Sequence, residues 1–167
     1  MLPYVILGII LGIPVFFGLF FRVSASHLFF SVMTGELLGR YFGKDVEHFI
    51  NVTFKNGELT HYAEALVVTL PIILTALFLK GSVSRTKGLL NFFPLIITSV
   101  VYAAFVLPVL PHNVQDIVTE VPLGQGLLNT SSFIVGGVVL IQLVALWLLN
   151  RGEGGSKGKR KRRKNKD

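Results

Sequence analysis

Apolar side chains run along this chain in long unbroken blocks. The first, Leu2 to Phe21, contains no charged side chain. Others run from Ala65 to Leu79 (extendable through Tyr62 and Glu64), from Leu89 to Leu110, and from Phe133 to Leu149. Crossing about 30 Å of hydrocarbon takes roughly 20 mostly apolar residues. A lone segment in lipid must pair its own backbone groups, which only a helix does. The pattern therefore predicts an all-α fold, an integral membrane helical bundle with at least four transmembrane helices.

The segment His27 to Gly43, HLFFSVMTGELLGRYFG, is apolar enough to enter a bilayer but carries Glu36 and Arg40. It can cross, lie in the interface, or form a re-entrant hairpin. Ser31, Gly35, Gly39 and Gly43 recur at four-residue spacing. On a helix they make one row without bulky side chains, which another helix can approach closely. The row is read as a packing seam. Glu36 and Arg40 stand one turn apart and can pair, which makes their burial less costly than that of either charge alone. The alternative makes Glu36 an ion- or proton-handling carboxylate, because acids inside membranes are functional by default.

Charge sets the orientation. The net charge of +7 resides wholly after Asn150, in a tail with nine Lys or Arg and two acids. The chain thus divides into a membrane bundle, residues 1–150, and a disordered polybasic tail, residues 151–167. The loop KGSVSRTKG, with Lys80, Arg85 and Lys87, holds no acid. Lys/Arg-rich flanks stay cytoplasmic, so this loop and the tail lie inside. The stretch from Pro111 to Ser132 has Asp116 and Glu120 but no Lys or Arg, and belongs outside. If His27–Gly43 crosses, Arg22 sits in a tight inner turn and the N-terminus is outside. If it does not, Arg22, Arg40, Lys44 and Lys55 all lie outside. The charge rule favours five crossings over four. A cleaved leader ending near Ser24-Ala25-Ser26 fits poorly, with no basic stretch ahead of it and Arg22 just before the site.

The tail residues Lys159, Arg160, Lys161, Arg162, Arg163 and Lys164, with Lys80, Arg85 and Lys87, are expected to contact anionic lipid headgroups, each at about 1 kcal/mol. Nucleic acid or ribosome binding by the tail is the weaker alternative, since any phosphate polyanion would serve.

Composition agrees. The chain is 51% hydrophobic and 15% charged, with a mean hydropathy of +0.65, whereas soluble domains carry about 25% charged residues. It has no cysteine, which removes disulfides, thiolate metal sites and thiol catalysis. No P-loop, Rossmann, zincin or serine-hydrolase motif occurs, and neither a cofactor, a metal site nor a catalytic residue is expected. His48 and His61 share a predicted outer loop with Asp45, Glu47, Glu58 and Glu64 and are read as solvated loop residues. A metal- or pH-sensing cluster is the alternative. Asn51-Val52-Thr53 and Asn129-Thr130-Ser131 match the glycosylation acceptor, at about the chance rate. Pro14, Pro71, Pro94 and Pro108 fall inside predicted helices, where kinks are common. The helix with Pro94 and Pro108, which also holds Thr98, Ser99 and Tyr102, is the best candidate to line a cavity. Gly8 with Gly12, Ser99 with Ala103, and Ser132 with Gly136 offer further close contacts, within one chain or in a homo-oligomer.

The stretches GLFFRVSASHLFF (Gly18–Phe30), SVMTGELLGRYFG (Ser31–Gly43), the block ending at Leu79, and KGSVSRTKGLLNFF (Lys80–Phe93) resemble, in order and loop chemistry, the colicin V production protein family of bacterial inner-membrane proteins. The resemblance covers roughly residues 1–110. It departs at the turn, reduced to Phe21-Arg22-Val23, and has no counterpart to the segment after Phe133. It implies a non-enzymatic inner-membrane protein in envelope organisation or export, acting through helix assembly. Two other classes fit the pattern: a holin-like pore-former, and a small ion or solute carrier using Glu36.

Overall fold

A computed structural model of the chain describes residues 1–54, 62–82, 88–129, 135–144 and 147. The described residues are helical, with no strand. Helix α1 covers Leu2–Phe20, α2 Ala25–Phe54, α3 Ala63–Phe78 and α4 Gly88–Val106, the last continuing into a 3-10 turn, Leu107–Val109. Two short helices follow, α5 (His112–Thr119) and α6 (Pro122–Leu128). Helix α7 is Val135–Val144. By length and composition, α1 and the stretch Asn91–Val109 are able to cross a membrane, while α3 and α7 are shorter apolar helices.

Helix α1 ends in a turn that its own sequence does not favour. Val23 N–H donates to the Gly18 carbonyl (3.0 Å), and Arg22 between them adopts φ +55°. This is the Schellman arrangement, in which a left-handed residue closes the last turn. Glycine usually fills that position, and Arg22 carries the steric penalty of its Cβ. The turn is then held from outside. Gly81 N–H donates to the Phe21 carbonyl (2.8 Å) and Ser24 N–H to the Ser82 hydroxyl (3.0 Å). Asn91 accepts from Ala25 N–H (2.8 Å) and donates to the Val23 carbonyl (3.1 Å). The α1–α2 turn, the end of α3 and the start of α4 therefore meet at one end of the bundle.

These contacts fix the directions of the helices. Helices α2 and α4 rise side by side from that end, and α1, α3 and α7 run antiparallel to them. Gly35 on α2 abuts Val68 on α3, and Gly43 abuts Glu64. Gly18 on α1 packs on Leu95 of α4. Gln142 on α7 reaches Pro94 and Thr98 of α4. The core at their meeting includes Leu28, Val32, Val68, Ile72, Leu95 and Tyr102.

Three expectations change. His27–Gly43 lies in one uninterrupted helix, so no re-entrant hairpin forms. Residues 44–54, expected in a loop, are the last three turns of α2, because a helix with polar side chains pointing into water keeps its backbone bonds at no cost. The stretch after Pro111 holds α5 and α6, not only loop. Pro111 caps α5 and Pro122 opens α6, at helix starts where a missing N–H is harmless. Pro14, Pro71 and Pro94 all sit within continuous helices.

Candidate functional site

The row predicted on α2 faces α3 over much of its length. A Cβ on Gly35 would overlap the Val68 carbonyl oxygen, one on Gly39 would stand 2.7 Å from Val68 Cγ2, and one on Gly43 would stand 2.9 Å from Glu64 Cγ. Ser31 is buried, and its hydroxyl finds no partner among the described residues. Gly8 and Gly12 behave differently: among the described residues nothing comes within 4 Å of a Cβ at either. Their small size is unused inside the bundle, as is that of Gly136, whereas Ser99 and Ala103 are buried.

At the end of the bundle opposite the α1–α2 turn lies a cavity of about 520 Å³. Helix α2 supplies Glu36, Gly39 and Arg40, and α3 supplies Glu64 and Val68. The far side is Ala104 and Phe105 of α4, Pro108 and Val109 of the 3-10 turn, and Val135, Gly136 and Val139 of α7. The helix with Pro94 and Pro108 thus lines the cavity at its C-terminal end. Glu36 and Arg40 form an ion pair, Oε1 to Nε at 2.5 Å, with the Glu36 side chain 15% exposed and that of Arg40 69%. The arginine reaches outward while the carboxylate stays among apolar neighbours.

Glu64, placed by sequence in an outer loop with His48 and His61, instead lines this cavity from α3. Nothing in the spacing of α3 says that Glu64 will face Gly43 and share a cavity with Glu36, because the register between two helices is a tertiary property. Below the cavity, polar groups continue into the core. Thr69 donates to the Ala65 carbonyl (2.7 Å) and meets the Tyr102 hydroxyl at 2.8 Å. With the Thr69 proton so engaged, Tyr102 donates to it. Deeper still, Gln142 Nε2 donates to the Pro94 carbonyl (3.1 Å) beside Thr98, which donates to the same oxygen (2.8 Å). Gln142 was detectable as a lone amide in an apolar block. The Ser99 hydroxyl and Gln142 Oε1 have no partner among the described residues.

Lys80 is exposed at the opposite end, its ammonium 5.9 Å from the centre of the Phe21 ring. Arg85, Lys87 and the tail residues Lys159 to Lys164 lie outside the described residues, as do His61, Lys55, Glu58 and Ser132. Asp45, Glu47 and His48 belong to α2 and Glu64 to α3, rather than to one loop. Among the described residues no group of three or more His, Asp or Glu could hold a metal ion. No family model, curated protein or solved structure matches the chain.

Proposed function

We propose that this chain is a multi-pass integral membrane protein with five crossings, its N-terminus outside and its tail cytoplasmic. We propose further that it acts without catalysis in envelope organisation or export, through helix assembly. The distribution of polarity carries the membrane reading. Large apolar side chains point outward all around the bundle: Ile9, Phe16 and Phe20 on α1, Leu70 and Phe78 on α3, Phe93 on α4, Leu140 and Ile141 on α7. Thr98, Ser99 and Gln142 point inward and are buried. A soluble monomer seldom exposes an apolar patch larger than a few hundred Å². Lipid is the solvent in which this arrangement is favourable.

The backbone bond between Phe21 and Gly81 supports five crossings rather than four. With four, the α1–α2 turn and the basic loop after α3 would be on opposite sides of about 30 Å of hydrocarbon, and no hydrogen bond could join them. With five, Arg22 and Lys80 share the cytoplasmic side with the tail. Lys80 and the tail then meet anionic headgroups. Helix α2, at 30 residues, is about 45 Å long at 1.5 Å per residue, so its last turns stand clear of the outer surface. The resemblance to colicin V production proteins points to the same envelope role. Because the chain has no cysteine, single cysteines labelled from either side of the membrane test this topology.

The cavity favours a second reading, a small carrier that uses Glu36. In proteoliposomes with an internal pH dye, the protein is expected to conduct protons, and Glu36→Gln to abolish that flux while leaving the elution profile intact. Equal flux in the two proteins would remove the carrier reading.

A further inference from the structure

The cavity is apolar over most of its wall, yet the charges of the described residues around it do not balance. Glu36 and Arg40 neutralise each other. Glu64, on the facing helix, makes no ion pair among the described residues; the Glu36 and Glu47 carboxylates lie near enough to repel its charge and the Lys44 ammonium near enough to attract it. With Arg40 set against Glu36 and Lys44 against Glu47, one negative charge among the described residues is left facing Val68, Phe105, Pro108, Val109 and Val139.

Such a site discriminates by both charge and shape. An anion is repelled by Glu64. A neutral apolar molecule fills the space but leaves a carboxylate desolvated and unpaired, which is costly. A bare metal ion gains two carboxylates at most and leaves the apolar wall against water. A cation with an apolar body satisfies both features, and a volume of about 520 Å³ lies in the range of small-molecule sites, about 300–1,000 Å³. Resting on the carrier reading, we propose that this cavity binds a lipophilic monocation, an organic ammonium or phosphonium ion with apolar substituents, and that Glu64 is its counter-charge.

Tetraphenylphosphonium and tetraphenylborate have the same shape and opposite charge, so together they separate charge recognition from partition into apolar material. With the full chain in neutral detergent, equilibrium dialysis against an empty-micelle blank is expected to show saturable binding of one phosphonium per chain. The borate should bind about tenfold or more weakly. Glu64→Gln should weaken phosphonium binding about tenfold and narrow the difference between the two ions. Glu120→Gln, between α5 and α6, should leave it within about twofold. Val139→Trp, which fills the cavity, should block both ions while helical content and elution volume are retained. Equal affinity for the two ions, the absence of saturable binding, or an unaffected Glu64→Gln protein would overturn the proposal. A Glu36-dependent proton flux without phosphonium binding would overturn the ligand class while leaving the carrier reading in place.

Discussion

Gly35→Ala is expected to lower the stability of the detergent-solubilised protein by about 1–3 kcal/mol, the usual cost of forcing volume into a packed contact, and Gly35→Leu to prevent recovery of a monodisperse protein. The reason is the atom that the new Cβ meets. At Gly35 it is the Val68 carbonyl oxygen, part of a helix backbone that cannot rotate away, so α2 and α3 must separate along the whole row. At Gly39 the obstacle is the Val68 Cγ2 methyl at 2.7 Å, which belongs to a β-branched side chain with little rotamer freedom in a helix. A smaller but clear loss is expected there, and Gly39→Leu should be far worse than Leu38→Phe. At Gly43 the obstacle is Glu64 Cγ, on a side chain able to swing aside. At Gly8 and Gly12 no described residue stands within 4 Å, and alanine is the better helix former by about 1 kcal/mol. Thermal unfolding followed by size-exclusion fluorescence should therefore rank the alanine variants Gly35, Gly39, Gly43, then Gly8 and Gly12. A flat ranking would mean that the row is not a contact.

Asn91→Leu is expected to cost about 2–4 kcal/mol, since it strands two buried backbone groups at about 1–3 kcal/mol each. Asn91 accepts from Ala25 N–H and donates to the Val23 carbonyl, and both of those residues are fully buried. One side chain thus closes the α1–α2 turn onto α4, in a partly buried place where water replaces it poorly. Asn91→Asp keeps the acceptor for Ala25 and loses the donor to Val23, so it should fall between the wild type and Asn91→Leu in the same unfolding assay. If Asn91→Leu unfolds at the wild-type temperature, the turn is not held by α4.

The helices were largely legible in the sequence, because apolar blocks free of charge have one structural solution where backbone groups must pair internally. The seam was legible too, since Ser31, Gly35, Gly39 and Gly43 share a helix face whatever lies opposite. What lies opposite was not. Glu64 enters the cavity only because α3 runs antiparallel to α2 in a register set by Gly35 against Val68, and no local pattern encodes that. The continuation of α2 through Phe54 was hidden by Lys44, Asp45, Glu47 and His48, whose polarity reads as loop but suits an exposed helix equally. The stretch from Pro111 to Ser132 was expected to be loop, although Pro111 and Pro122 stand where proline is favoured, at helix starts. Nothing in the apolar block from Leu89 to Leu110 singles out Asn91. Its role depends on the turn near Val23, 68 residues away. Gly8 and Gly12 show the converse: spacing identifies a surface that a helix could approach, but not whether one does.

In the proposed topology lipid surrounds this bundle, and the α1–α2 turn and the end of α3 lie on one side of it. Single cysteines at Ser24, Ser82, His48 and His112, in a chain that otherwise has none, test it with an impermeant maleimide. In sealed inside-out vesicles Ser24→Cys and Ser82→Cys should react while His48→Cys and His112→Cys are protected, and in right-side-out vesicles the pattern should reverse. Reaction of Ser24→Cys and Ser82→Cys from opposite sides would contradict the five-crossing bundle, and reaction of all four from both sides would contradict the membrane itself.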